Sequence, residues 1–336
     1  MKKIEVAVVG IGGWGKNLAR NYFQLPDANL RYVCDLDTGK LKNARVQYPG
    51  AIGTTSYDEV VADENLDAVV IATTAPTHYS LTKRALLAGK DVYVEKPFVL
   101  NVEQAEELTS LAISNGRILM VGHLLEYHPV VVILKDMIKS KQLGDIHYIY
   151  SQRLNLGTIR EDENALWNFA PHDISSILYL LGKEPVDVAA RGQSYIRKGV
   201  EDVVFLNLSF ADNSMANIHV SWLDPHKVRK LTIVGSKKMA VFDDLEATEK
   251  LRIYDKGAQY SGNYETFAEY MGLRFGDITI PYIKSGEPLQ VECQHFLDCI
   301  RDRAQPLSDG KDGIRVVRVL EAADRSLKNN GVPVAV

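Results

Sequence analysis

The chain has 336 residues, long for one hydrophobic core and suited to two domains. With 46% hydrophobic and 24% charged residues it is ordinary globular material, and a net charge of −4 gives no footprint for nucleic acid. No window of about 18 residues is apolar and free of charge, which argues against a membrane span, and three scattered cysteines argue against a disulfide framework.

The run Lys3–Val9 reads as a buried strand and leads into Gly10-Ile11-Gly12-Gly13-Trp14-Gly15, a G-x-G-x-x-G pattern. Gly10 permits the tight strand-to-helix turn, Gly12 lets the backbone approach a pyrophosphate, and Gly15 lets the helix pack close to the strand. Leu18, Ala19, Tyr22 and Phe23 give the next segment an apolar helical stripe, and its N-terminus offers N–H groups to an anion. Leu30–Cys34 reads as a second strand ending at Asp35, twenty residues past Gly15, where a carboxylate takes a ribose 2′-OH. Asp35 repels a 2′-phosphate, so NAD is the expected cofactor and NADP the lesser alternative. Lys40 and Lys42 are the residues that could reverse that preference.

Alternation continues. Asp67–Ala72 is a strand followed by the loop Thr73 to His78, and a helix runs from about Tyr79 to Ala88. Asp91–Val94 is a strand that delivers Glu95-Lys96-Pro97 to the carboxyl edge of the sheet, where ligands bind in such folds. There Lys96 can polarise a hydroxyl and stabilise a developing alkoxide. Asn101, with Gln104 three residues on, reads as a capped helix start, and Gly116 follows its end. Ile118–Val121 closes a domain of residues 1–122.

From 123 onward, after a helix over about 129–140, strand-like runs dominate: 146–153, 186–190, 203–210, 215–222, 230–235 and 239–243. Asp212-Asn213-Ser214 reads as a hairpin turn. The expected fold is an α/β Rossmann domain followed by an α+β domain, 123–336, with a large open, mostly antiparallel sheet. Helices are expected over about 292–303 and 313–329, the last packing back on the first domain. The segment Trp167 to Asp173 precedes an i, i+3, i+4, i+7 stripe of Ile174, Ile177, Leu178 and Leu181. Pro171 belongs in a first helical turn, so the helix is expected to start near Asn168 with His172 at its N-terminal end. There a neutral imidazole can take a hydroxyl proton. Asn168 as a plain N-cap and His172 as a surface histidine is the competing reading.

These residues resemble the Gfo/Idh/MocA oxidoreductases over essentially the whole length. The matching pieces are Gly10–Gly15, Asp35, the loop with Thr73, Pro76 and His78, Glu95-Lys96-Pro97, Gly122-His123 and the histidine of the 168–182 helix. The resemblance implies a nicotinamide-dependent dehydrogenase of CH–OH groups, a homodimer or homotetramer formed through the open sheet, and a cis Lys96–Pro97 bond. It implies that Lys96 and His172 are catalytic, with Asn168 orienting the histidine. Many members carry aspartate where this chain has Asn168, which cannot stabilise an imidazolium by charge, so Lys96 is the alternative exit for the proton. It also implies NAD contacts from Gly10, Gly12, Gly13, Trp14, Gly15, Asp35, Thr73, Pro76, His78, Glu95 and Lys96.

A narrower resemblance is to the nucleotide-sugar branch that oxidises C3 of UDP-N-acetylglucosaminuronate. It is carried by Gly12–Arg20, Gly122–Pro129, Arg153–Arg160 and Trp167–Ser175. Arg153 and Arg160 suit a carboxylate or diphosphate. With them His123, Tyr127, Asn155, Asn164 and Trp167 are the candidate substrate residues, and Lys227 and Arg229 could reach the nucleotide. A free polyol or sugar as substrate, and a non-catalytic NAD-binding regulator, are the alternatives. No metal, nucleic-acid or membrane partner is expected, and the reduced cysteines suit the cytoplasm.

Overall fold

The computed structural model describes residues 2–157, 159–160, 163–258, 272–284 and 286–336. They divide into two compact units, Met1–Tyr127 with Gly286–Arg318, and His128–Ser285 with Val319–Val336.

In the first unit β1 (Ile4–Val9), β2 (Ala28–Cys34), β3 (Ile52–Thr54), β4 (Ala68–Ile71), β5 (Asp91–Glu95) and β6 (Leu119–Gly122) form one parallel sheet in the order β3-β2-β1-β4-β5-β6. β4, β5 and β6 are buried at every residue, as strands covered on both faces must be, which is why they read as unbroken apolar runs. The connecting helices are α1 (Gly15–Gln24), α2 (Thr38–Gln47), α3 (Tyr57–Ala62), α4 (Ala75–Leu87) and α5 (Val102–Ser114). Local chemistry sets their starts. Asp37 accepts from the Gly39 and Lys40 N–H groups, Ser56 from Glu59, and Asn101 from Gln104 at 2.9 Å. Gly116 follows α5 at φ +60, the left-handed stop expected of it.

α4 starts four residues earlier than its sequence stripe suggests, with Pro76 in its first turn, where the missing N–H has no helical partner to lose. The short β3 carries too few residues to show a period and was not expected.

The first unit is discontinuous. The chain crosses to the second unit after Tyr127, five residues later than the expected boundary, and comes back at Gly286. The returning helix α8 (Pro288–Asp302) lays Leu289, Cys293, Phe296, Leu297 and Ile300 into the core formed by Val6, Val8, Leu18, Tyr22 and Tyr93. Each such side chain, fully buried, contributes about 1.5–3 kcal/mol. The next helix, α9 (Gly310–Lys328), belongs to the first unit as far as Arg318 and to the second from Val319. Return to the first unit is therefore made chiefly by α8, not by the last helix alone.

The second unit holds α6 (Pro129–Lys139), α7 (Ala165–Leu181) and the strands β7 (Ile146–Leu154), β8 (Asp187–Gln193), β9 (Val203–Ser209), β10 (Met215–Ser221), β11 (Val228–Gly235), β12 (Met239–Asp243), β13 (Leu251–Ala258), β14 (Leu273–Thr279) and β15 (Val334–Ala335). Their order is β14-β13-β12-β11-β7-β10-β9-β8-β15, antiparallel except for the β10–β7 pair. β9 and β10 form the expected hairpin, with Asn213 at φ +65 in its turn. One face of the sheet packs on α7; the other leaves Tyr148, Tyr150, Phe205 and Met215 exposed. β13, β14 and β15 were not foreseen, since their half-exposed residues carry no clean alternation.

α7 corrects one expectation. It begins at Ala165, capped by Asn164 accepting from the Trp167 N–H at 3.1 Å, and Pro171 lies inside it. The proline forgoes one helical hydrogen bond. The deep burial of Ala170, Ile174, Ile177 and Leu178 holds the helix regardless. His172 is consequently a second-turn residue. Among the described residues no helix is long and apolar enough to cross a membrane.

Candidate active site

In the first unit the residues of the nucleotide fingerprint converge at the carboxyl ends of β1, β2 and β5. Gly10 adopts φ +86, and a Cβ there would fall 2.7 Å from the Ala72 carbonyl oxygen; one on Gly15 would meet the Gly10 oxygen at 1.8 Å. Gly12 and Gly13 face open space, the side from which a pyrophosphate can approach the backbone. Trp14, at the N-cap of α1, supplies no side-chain acceptor to the first-turn N–H groups, which leaves that end suited to an anion. Asp35 receives the Ile11 N–H on Oδ2 and the Asp37 N–H on Oδ1, both at 2.9 Å, with Lys40 Nζ at 3.4 Å. This donor set and open glycine backbone fit a dinucleotide.

The fingerprint loop is tied to the Glu95-Lys96-Pro97 run. Trp14 Nε1 donates to Glu95 Oε1 at 2.7 Å, and Tyr93 Oη donates to the same oxygen at 3.2 Å. Burial pushes the Glu95 carboxyl above its ordinary range, against the pull of the Lys96 charge and the Trp14 hydrogen bond. Lys96 is half-buried and its bond to Pro97 is cis. The Trp14–Glu95 link was not visible in the sequence, where Trp14 is only a variable fingerprint position.

Three sequence candidates in this unit are buried ties. His78 is 1% exposed, its Nδ1 2.8 Å from the Pro97 oxygen and its Nε2 3.1 Å from the Thr73 oxygen. It therefore clamps two loops together, and burial lowers its pKa. Thr73 Oγ1 lies 2.7 Å from Thr77 Oγ1, at the start of α4 near Pro76. His123 and Tyr127, expected to touch substrate, are buried and bonded within the first unit. His123 is 1% exposed with Nδ1 2.6 Å from Asp312 Oδ2; Tyr127 Oη lies 3.0 Å from Ser308 Oγ. The reason is the returning segment 286–318, which covers β6. His123, Glu126 and Asp312 each offer one ligand atom within 4.8 Å of the others. The 2.6 Å contact is hydrogen-bond length and shorter than two ligands on one ion allow, so we read the trio as a charge network.

In the second unit Arg153 is committed to Asp173, with Nε 2.6 Å from Oδ2 and Nη2 3.3 Å from Oδ1. Arg160 Nε lies 2.6 Å from Glu163 Oε1. Asn164, expected at the substrate, is the α7 cap, and its Nδ2 donates to Glu201 at 2.6 Å. Asn168 is not that cap. Its Nδ2 donates to Glu163 Oε1 at 2.5 Å and its Oδ1 receives Trp222 Nε1 at 3.3 Å. His172, one turn on, is half-buried, and its carbonyl receives the Ser175 and Ser176 hydroxyls. Trp167 is half-buried on the first turn. Thr158, within the quoted Arg153–Arg160 motif, lies outside the described residues. Asn155, Arg160, Asn168, Phe169, Lys227 and Arg229 line a cleft of about 540 Å³, a size suited to a small molecule.

Two family models match: residues 4–123 fit the oxidoreductase family with an NAD-binding Rossmann fold, and residues 131–241 fit the GFO/IDH/MocA C-terminal domain. A UDP-N-acetylglucosamine 3-dehydrogenase of Acidithiobacillus ferrooxidans is 27% identical over 318 residues, 94% of this chain and 95% of that protein. Its crystal structure superposes with a TM-score of 0.83 at 25% identity, covering 98% of this chain and 99% of that one. A scyllo-inositol 2-dehydrogenase (NAD(+)) of Bacillus subtilis is 25% identical over 349 residues, 99% of this chain and 96% of that protein. The chain belongs to the Gfo/Idh/MocA oxidoreductase family and is an NAD-dependent dehydrogenase whose first unit is the Rossmann domain.

Proposed function

We propose that the protein oxidises a ring CH–OH of a sugar, most specifically C3 of a UDP-2-acetamido-2-deoxy-glucuronate type nucleotide sugar, to the 3-keto sugar. The observation that carries this reading is the Glu95-Lys96-Pro97 run, buried at Glu95 and bonded through Trp14 to the dinucleotide loop. It supports a role at the cofactor for the amine of Lys96, the residue that follows Glu95 in the chain.

NAD, when bound, accepts the hydride that leaves the ring carbon. The chain's own residues handle the hydroxyl. Lys96 donates a hydrogen bond to its oxygen and stabilises the charge that develops there. Either Lys96 or His172 takes the hydroxyl proton; a ketone, reduced cofactor and one proton result. Asn168, fixed between Glu163 and Trp222, braces the turn of α7 that carries His172. The UDP-N-acetylglucosamine relative supports a nucleotide sugar; the inositol relative supports a free polyol as the second reading.

The test is formation of reduced nicotinamide by purified protein with NAD and UDP-N-acetylglucosaminuronate, UDP-N-acetylglucosamine, scyllo-inositol or glucose. A signal confined to the UDP-linked sugars supports the first reading, and one with inositol alone supports the second. Lys96→Ala should lower kcat by about 10²–10³-fold while NAD still binds. Near-normal turnover removes Lys96 from the chemistry.

The exposed sheet face of the second unit, with Tyr148, Tyr150, Phe205 and Met215, is where a second copy would pair. Light scattering should then report a homo-oligomer, and Phe205→Glu a smaller species.

A further inference from the structure

β7 and β11 are antiparallel neighbours, and their register sets Arg153 directly opposite Arg229 on the face that packs on α7. Like charges so placed oppose strand pairing. Arg153 is neutralised by Asp173. Arg229 is not. Among the described residues its guanidinium donates only to neutral oxygens. Nη1 reaches the carbonyls of Val228 and Leu154, at 2.8 and 2.9 Å, and Nη2 reaches Asn155 Oδ1 at 2.7 Å. One N–H on Nε and one on Nη2 remain of the five that a guanidinium carries. Phe169 lies against the group, its ring centroid 5.1 Å from Cζ, and holds it in place.

Burial, and then the Arg153 charge, push Arg229 down to about 10. The Asp173 and Asp244 charges pull the other way but do not offset the burial, and neither carboxylate bonds the group among the described residues. A half-buried cation so under-compensated destabilises the free protein, and a bound anion relieves it. The surrounding cleft extends the pattern: among the described residues its lining includes Arg160, Lys227 and Arg229 and no carboxylate. Arg160 has Glu163 as a partner, whereas Lys227 is exposed and makes no ion pair among the described residues. This local excess of positive charge stands in a chain of net charge −4.

We propose that Arg229, seconded by Lys227, is the specificity-determining anchor for an oxyanion of the substrate, a carboxylate or a phosphate. The proposal deepens the nucleotide-sugar reading and rests on it only for the rest of the ligand. It transfers to Arg229 the role that the sequence gave to Arg153, whose fork is occupied by Asp173.

The experiment is calorimetric titration of the NAD-saturated protein with UDP, with glucuronate, and with neutral glucose. It reads binding, not turnover, so loss of the dehydrogenase reading and loss of this one are separable. UDP binding that weakens about 10- to 100-fold in Arg229→Gln, and less in Arg229→Lys, supports the anchor and identifies a diphosphate. The same pattern with glucuronate alone supports it and identifies a carboxylate. Thermal stability equal to or above that of the unmodified protein, with unaltered NAD affinity, shows that the variant is folded. Lys227→Gln, at an exposed position, should weaken the same ligand severalfold and steepen no other property. Absence of binding by both anions to the unmodified protein, or equal affinity in Arg229→Gln and Lys227→Gln, overturns the proposal.

Discussion

His123 Nδ1 lies 2.6 Å from Asp312 Oδ2, a hydrogen bond that joins residues 189 apart in sequence inside a fully buried pocket. Burial alone would push the imidazole pKa down. The hydrogen bond to Asp312 and the neighbouring Asp312 and Glu126 carboxyls outweigh it and lift the group from 6.5 to about 10. The folded protein therefore holds a proton that the unfolded chain has released across that window. Its stabilising contribution is complete below about pH 6.5 and disappears as pH rises through about 10. The denaturant midpoint should fall between pH 7 and pH 10, and His123→Gln should show a lower midpoint at pH 7 and a flatter slope. Parallel slopes for the two proteins would refute the assignment. Asp312→Asn, which strips the charge partner, should cost about 3–5 kcal/mol.

Glu292 presents the opposite case. It is 0% exposed, and neither carboxyl oxygen has a hydrogen-bond partner among the described residues. Burial, then the nearby Glu95 charge, raise its pKa well above 4.5. A raised carboxyl pKa stabilises only below the unfolded value and is a growing burden as pH rises. Glu292→Gln should therefore match the native protein near pH 5 and exceed it at pH 8, by on the order of 1 kcal/mol. Chemical denaturation at the two pH values measures the difference, and a variant less stable at both would exclude a buried neutral acid.

Asn168→Asp restores the residue of many family members, yet the neighbourhood opposes it. Asn168 Nδ2 lies 2.5 Å from Glu163 Oε1, so aspartate would set two carboxylates in contact. Unless one proton is shared, the pair repels. The variant should lose about 1–3 kcal/mol at pH 8 and less at pH 5, and Glu163→Gln in the same chain should restore it. Equal stability of single and double variants at pH 8 would show that the carboxylates do not meet.

Trp14→Phe keeps the ring and deletes the donor that reaches Glu95 at 2.7 Å. Leaving that acceptor short of one partner should cost about 1–3 kcal/mol, expressed as weaker NAD binding because the glycine loop loses its tether. Titration with NAD beside a thermal melt distinguishes the two outcomes. A drop in melting temperature with unchanged NAD affinity would assign the bond to the fold alone.

What the sequence made legible follows from range. Gly10–Gly15, Asp35, the Asn101 cap and the strands of the first sheet other than β3 declare themselves by spacing within a few residues, and much of the family resemblance rests on them. Arg153, His123, Tyr127 and Asn164 have the right chemistry for ligands, but their partners Asp173, Asp312, Ser308 and Glu201 arrive from elsewhere in the chain. No periodicity reports such pairings. Arg229 was read, with Lys227, as a residue that could reach the nucleotide, but nothing in the sequence ranked it above Arg153. Its significance comes from the register opposite Arg153, which a sequence read strand by strand does not contain. Pro171 misplaced the start of α7 because a local rule was applied where tertiary burial decides.

The helix α8 also bears on the order in which the protein can be made. When residues 1–127 have left the ribosome, the six-stranded sheet has all its strands, but the core that Phe296 and Leu297 fill is still open. Synthesis must pass residue 302 before that apolar surface closes, so the nascent nucleotide-binding unit waits, partly unsealed, for more than half the chain. A fragment ending at Tyr127 should bind hydrophobic dyes and aggregate, and a synthetic 286–318 segment supplied in trans should rescue it.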